Sequence, residues 1–325
     1  MPAPPLFHPT RVVLVDDEPR ILRMTALLLE DCPEVRDILV FQRAQEALAH
    51  LDAAADAEED LGGARVRDVI DEDAGGEVVH RTIDVSLASL PRLLERSREK
   101  AVHSVIVSDF AMPGMDGLEF FARLRDRHAR RLLLTALCDE KDAVTAFNRG
   151  SIHRFLHKGD PAGPQALREA VRGQCREYFR RRYAHLGAVL ALGTAGQFLS
   201  HPRVAELLDR AMRESGCREF CFSVDPPGFR LDGPGRGGVL ALADGLEYER
   251  HRRVVREIGG EADLAEALAA RSVLPTGCDA RPLYEHGSAW RAKAIAARPM
   301  AGGEPLFWGW IDRGHVREPA GPHRA

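Results

Sequence analysis

Ser104–Phe120 reads SVIVSDFAMPGMDGLEF, and the fold follows from it. Val102–Val107 is an apolar run that ends abruptly at Ser108 and Asp109, as a strand buried on both faces does. Leu118, Phe121 and Leu124 then fall at helical spacing. A buried strand that ends on a carboxylate and turns into a helix is one unit of an alternating α/β sheet.

The same unit recurs on both sides. Upstream, RVVLVDDEPRIL (Arg11–Leu22) is a buried strand ending on Asp16 and Asp17, with Pro19 in the first turn of a helix marked by Ile21, Thr25, Leu28 and Leu29. A strand at Val35–Phe41 and a helix from Ala44 to about Leu51 follow. Downstream, Arg131–Leu134 ends on Thr135, a helix runs from about Asp139 to Arg149, and Ile152–His157 ends on Lys158. A last helix starts near Pro164. The pattern predicts a doubly wound, five-stranded parallel sheet. In such sheets the loops at the carboxyl ends of the strands build the site.

Those ends carry Asp16, Asp17, Asp109, Thr135 and Lys158. Carboxylate oxygens suit a hard Mg2+ ion, and one carboxylate can attack phosphorus. A hydroxyl and an ammonium can each hold a phosphoryl oxygen. Taken singly, the acidic pair is a helix N-terminal charge, Thr135 a strand-end residue and Lys158 a solvated lysine. Their joint occurrence at successive strand ends is what points to phosphoryl chemistry.

On VVLVDDEPRIL, SDFAMPGMDGLEF, LLLTA and RFLHK, in that order, the chain resembles the response-regulator receiver family. The likeness covers residues 11–51 and 102–180. It implies Asp109 as phosphoacceptor, Mg2+ held by Asp16, Asp17, Asp109 and the backbone carbonyl of Ala111, Thr135 as switch hydroxyl, Lys158 as phosphate partner, and Phe155 as the aromatic switch. It also implies a sensor histidine kinase or phosphotransfer protein as partner, and a receiver that catalyses its own phosphorylation and dephosphorylation. No conventional turnover enzyme is expected. Two departures stand out: Gly159 follows Lys158 where the family has Pro, and Asp17 and Asp109 lie about twice as far apart as usual. Receivers with a long insert and an AFN-x-G-x-I-x-RF-x-x-K segment, Ala146–Lys158 here, resemble a subgroup of which some serve quorum-sensing-type circuits.

The extra length is an insertion at about 52–101. It reads as an acidic, alanine-rich opening, a β-hairpin from Val66–Ile70 and Val78–Val85, and a helix over Leu87–Lys100. The acidic turn Asp71–Glu77 lacks the ligand spacing of a calcium loop. The expected organisation is a receiver over 10–183, a glycine-broken linker over 184–200, a smaller α+β domain over 201–315, and a frayed tail over 316–325. In the second domain, helices are expected at Val204–Glu214, Leu246–Ile258 and Leu264–Arg271. Strands are expected near Glu219–Val224, Gly238–Ala243, Ala292–Ala297 and Pro305–Ile311, with Gly302 and Gly303 in a hairpin turn.

The second domain shows no helix-turn-helix, cyclase, phosphodiesterase or kinase motif. Its glycine run Gly233–Gly238 precedes a strand and so does not read as a phosphate cradle. Cys217 and Cys221 have no partners at zinc spacing and suit neighbours on a helix. Trp290, Trp308 and Trp310 suit packing. Two readings of this output stay open: an interaction or ligand-sensing domain, or a divergent enzymatic or nucleotide-binding one using Asp225, Asp232 and Glu247. A formal net charge of −4 over 325 residues makes nucleic acid an unexpected obligatory partner, although a small patch is compatible with it. The N-terminus lacks a signal-peptide pattern and no stretch is long enough to span a bilayer, so a soluble, cytoplasmic protein is expected. The long basic helix over Arg168–Arg182 suggests a phosphorylation-dependent homodimer.

Overall fold

The computed structural model describes residues 3–56, 64–70, 78–85, 90–99, 102–136, 145–192, 196–201, 203–275, 290–291, 294–300 and 306–313. The acidic turn at 71–77, the linker residues 193–195, the hairpin turn at Gly302 and Gly303, and the tail lie outside them. The chain divides into two compact units, Phe7–Ala184 and a second made of Met1–Leu6 with His185–Ala325.

The first unit is built on β2 (Thr10–Val15), β3 (Val35–Phe41), β6 (His103–Ser108), β7 (Arg130–Thr135) and β8 (Arg154–His157). They form one five-stranded sheet in the order β3-β2-β6-β7-β8, every pairing parallel. The centre of the sheet is dry: all six residues of β6 are buried, and Val12 to Val15 are at most 1% exposed. Helices α1 (Pro19–Leu29) and α5 (Gly163–Arg182) cover one face. On the other, α2 (Ala44–Asp56) and α4 (Gly117–Arg123) enclose a core of Val13, Val15, Ile106, Phe120, Phe121 and Leu133. Residues 145–148 are helical, and the expected helix start at Asp139 lies outside the described residues.

The insertion contains the expected hairpin, β4 (Ala64–Ile70) paired antiparallel with β5 (Val78–Val85), and a helix α3 (Leu90–Glu99). The helix is anchored. Leu93, Leu94 and Ser97 are buried, and the Ser97 hydroxyl lies 2.7 Å from His8 Nε2 and accepts from the Tyr183 hydroxyl at 3.4 Å. Those contacts join the segment before β2 to the end of α5, at the sheet edge opposite the carboxyl ends.

The second unit differs from the expected layout in three ways. First, the chain's N-terminus belongs to it: β1 (Leu6–Phe7) is the edge strand beside β9 (Glu219–Val224), and the Phe222 amide donates to Pro5 O at 2.7 Å. Second, the expected linker is structured, with α6 (Ala184–Leu192) and a 3-10 turn at Gln197–Ser200 burying Leu186, Leu190, Phe198 and Leu199. Apolar side chains at helical spacing outweigh one internal glycine here. Third, Pro227–Asp232, bordered by turn residues, is a strand (β10) with Phe229 and Leu231 fully buried. The full sheet runs β1-β9-β10-β11-β15-β14, where β11 is Gly238–Ala243, β14 Arg298–Pro299 and β15 Phe307–Asp312. Pairings from β9 to β14 are antiparallel. Helices α7 (Val204–Ser215), α8 (Gly245–Glu257) and α9 (Ala262–Ala269), and a pair β12 (Val273–Pro275) and β13 (Ala294–Ala296), complete an α+β domain close to the expected elements. Cys221 lies on β9 and Cys217 just before it, so they are not helix neighbours as their spacing suggested; both are free thiols.

Candidate functional site

Backbone hydrogen bonds gather the acidic residues. The Asp109 amide donates to Val15 O at 2.8 Å, fixing the end of β6 against the end of β2, and the Asp16 amide donates to Phe41 O at 3.1 Å. The Asp16 carboxylate then accepts the Glu18 amide at 3.0 Å, at the entrance of α1, where Pro19 takes the first turn. As a result Asp16, Asp17 and Asp109 each bring a carboxylate oxygen within 4.8 Å of the other two, although the insertion lies between them in sequence.

The MPGMDG segment has physical reasons of its own. Gly114 is in the left-handed region at φ 81°, which favours glycine. A Cβ on Gly117 would stand 2.2 Å from the carbonyl oxygen of Asp109, so only glycine lets α4 start this close to the end of β6. Asp116 caps that helix by accepting the Glu119 amide at 2.8 Å.

Lys158 completes the cluster. Its amide donates to Thr135 O at 3.0 Å, holding the end of β8 to that of β7, and its ammonium lies 2.7 Å from Asp16 and 3.2 Å from Asp109 Oδ1. The loop after it lacks the family's proline and is tied by hydrogen bonds instead. Gly159 donates to His157 Nδ1 at 3.0 Å and the Asp160 amide to His157 O at 3.2 Å. Burial lowers the Lys158 ammonium's affinity for its proton, but the bond to Asp16 and the charges of Asp16 and Asp109 outweigh it and raise the pKa. Burial raises Asp16 above the usual carboxylate range despite its bond to Lys158.

Asp109 is 8% exposed, and its Oδ1 is a buried oxygen without a well-aligned hydrogen bond, the Lys158 ammonium standing off the bonding direction. Three hard oxygen donors and an under-satisfied carboxylate fit a divalent cation such as Mg2+. Thr135 is buried at the end of β7, and Phe155 on β8 is half-buried against the α2/α4 core. Ala111 is exposed just beyond Asp109.

The acids of the second unit do not converge. Asp225 and Asp232 bracket opposite ends of β10. Asp232 pairs with Arg230 at 3.0 Å and Arg313 at 3.6 Å, while Glu247 on α8 bonds His251 at 3.0 Å and pairs with Arg250. The glycine run is occupied by backbone, the Arg236 amide donating to Ser215 O at 2.7 Å. Trp290 is buried and donates to Asp263, and Trp308 has Arg298 over its ring at 4.9 Å.

The model of the response regulator receiver domain matches residues 78–172. That span begins within the insertion and includes Asp109, Thr135 and Lys158, while the acidic pair lies before it. Among solved structures, the chain is similar to the Legionella pneumophila response regulator LqsR, at 25% identity and TM-score 0.73, over 95% of this chain and 89% of that one. It also matches a receiver domain protein from Methanospirillum hungatei at 16% identity and TM-score 0.34, covering 53% of this chain and 98% of that one. A signal receiver domain of an HD domain-containing protein from Pseudomonas fluorescens matches at 22% and 0.35, covering 54% and 92%. No curated protein matches the sequence. Among the described residues no helix is long and apolar enough to cross a membrane. The five-stranded parallel sheet and the match over residues 78–172 establish that the chain carries a response regulator receiver domain.

Proposed function

We propose that the protein is a response regulator that accepts a phosphoryl group on Asp109 from a sensor histidine kinase or phosphotransfer protein in the cytoplasm. The observation that carries this reading is the Lys158 ammonium held 2.7 Å from Asp16 and 3.2 Å from Asp109, beside three converging carboxylates. Asp16, Asp17 and Asp109 would hold Mg2+, with the carbonyl of Ala111 as a further ligand, and the ion would supply charge neutralisation to the incoming phosphoryl oxygens. The Asp109 carboxylate is the nucleophile. Lys158 offers its positive charge to a phosphoryl oxygen in place of the carboxylates it now bridges, and the Thr135 hydroxyl donates to another. Phe155, which faces Leu133 in the β7–β8 pairing while Thr135 faces His157, is the side chain that would follow Thr135 into the core.

Of the two readings of the output, contact or ligand sensing is the better supported, because Asp225 and Asp232 stand at opposite ends of one strand. Homodimerisation through α5 stays a proposal. Arg168, Arg172 and Arg176 are engaged within the unit, with Leu28 O and the buried Glu34, so such a contact would use the exposed residues between them. The test is labelling with a small phosphodonor and Mg2+. Wild type should be labelled and Asp109→Asn should not; persistent labelling of that variant, with its fold intact, removes the assignment.

A further inference from the structure

The sheet edge opposite the acidic cluster concentrates positive charge that the proposed phosphoryl chemistry does not use. Arg130 and Arg131 open β7, the loop before it carries Arg127, and α5, running antiparallel to the strands, ends there with Arg180, Arg181 and Arg182. Two carboxylates, Glu177 and Asp126, offset only part of the charge of these six arginines. Glu177 is shared by Arg180 and Arg181, the latter at 2.7 Å, and Asp126 accepts the His128 amide at 2.7 Å.

Helix-dipole stabilisation accounts for cations in the last turn of α5. It does not account for the strand starts. Arg130 is 5% exposed and bonds neutral Gln174 at 2.7 Å, while Arg131 keeps a buried Nε with no hydrogen-bond partner. Burial, together with Arg181, Arg180 and Arg131 and against the opposing charge of Glu177, pushes the Arg130 guanidinium down to about 10. Burial, together with Arg130, Arg131 and Arg181 and against the opposing charge of Glu177, pushes His153, whose Nδ1 accepts the Arg131 amide, down to about 4. Like charges crowded around a buried cation are costly unless an anion completes them.

The kind of anion follows from what the patch lacks. Among the described residues, the large exposed apolar side chains are Met24, Leu27, Val40, Phe147, Leu192, Leu246 and Ile258, and none falls in 125–131 or 180–182. A stable protein interface is anchored by apolar side chains, and a membrane-surface helix by an apolar face, beside the charge. Guanidinium groups set along an edge, graded from buried Arg130 to 62%-exposed Arg181, match a chain of repeating phosphates. We propose that this edge of the receiver domain binds the phosphodiester backbone of a nucleic acid, without base selection.

The test is fluorescence anisotropy of the full chain with a labelled mixed-sequence DNA duplex, across a salt series. The plot of log affinity against log salt should be linear and negative. Arg127→Ala with Arg181→Ala, both exposed, should reduce the slope by about 1.8, roughly 0.9 for each phosphate no longer neutralised. Arg252→Ala with Arg256→Ala on α8 should leave it unchanged, and thermal melts should show all forms folded. Absence of duplex binding at low salt, or the same slope for the first pair as for wild type, overturns the proposal. Binding to phosphatidylglycerol vesicles with equal loss in that pair overturns it too, by assigning the patch to lipid headgroups.

Discussion

His8 provides a pH-dependence that can be worked through in numbers. It is 1% exposed, its ring meets Phe179 edge-on at 4.9 Å, and its two nitrogens face Pro9 O at 2.9 Å and the Ser97 hydroxyl at 2.7 Å. Pro9 O can only accept, so Nδ1 carries the proton and Nε2 accepts from Ser97. Burial, with the charges of Arg98 and Arg36 and against the bond to Pro9, lowers the pKa from 6.5 to about 4. The unfolded chain therefore binds this proton more readily than the folded one. Stability is fully present above pH 6.5, falls as the pH drops below it, and levels off below about 4. From pH 7.5 to 5.0 the loss from His8 is about 2 kcal/mol, or roughly 1 M in the urea midpoint for a slope of about 2 kcal/mol/M. His103 and His153 are shifted in the same direction but are common to wild type and variant, so they cancel in the comparison. Urea unfolding of wild type and His8→Gln at both pH values, with direct NMR titration of the imidazole, measures it. If the two proteins lose the same stability on acidification, or if His8 titrates near 6.5, the reasoning about this buried ring is wrong.

Asp17→Ala should weaken Mg2+ binding at least tenfold in a calorimetric titration, since a hard cation loses a charged oxygen. Glu34, 3% exposed and paired with Arg172 and Arg176 at 3.2 and 3.0 Å, should cost about 3 kcal/mol as Glu34→Gln, because both arginines lose their carboxylate; chemical unfolding reads this directly. Phosphorylated protein should lose its phosphoryl group slowly, because Ala111 and Leu137, two residues after Asp109 and Thr135, cannot orient an attacking water. Leu137 lies outside the described residues, so the argument rests on its chemistry; decay in Mg2+ buffer should be faster for Ala111→Asn with Leu137→Glu, and equal rates would refute it.

The receiver is legible in the order of the amino acids alone. Strand-length apolar runs that each end on a reactive side chain are local signals, and period and punctuation place Asp16, Asp17, Asp109, Thr135 and Lys158 at one edge before any contact is known. The inserted hairpin and most elements of the second unit are equally local. Whatever depends on distant partners emerges only on folding. Leu6–Phe7 is too short to announce a strand, and it becomes one because β9 presents an unpaired edge. Ser97 reads as a polar helix residue, yet it is buried because His8 and Tyr183 need its hydroxyl. A net charge of −4 conceals a local cluster of arginines that exists only once a loop, two strand-start residues and a helix end are folded onto the same edge. Periodicity is written along the chain, whereas edge pairing, polar satisfaction and local charge density arise between segments far apart in it.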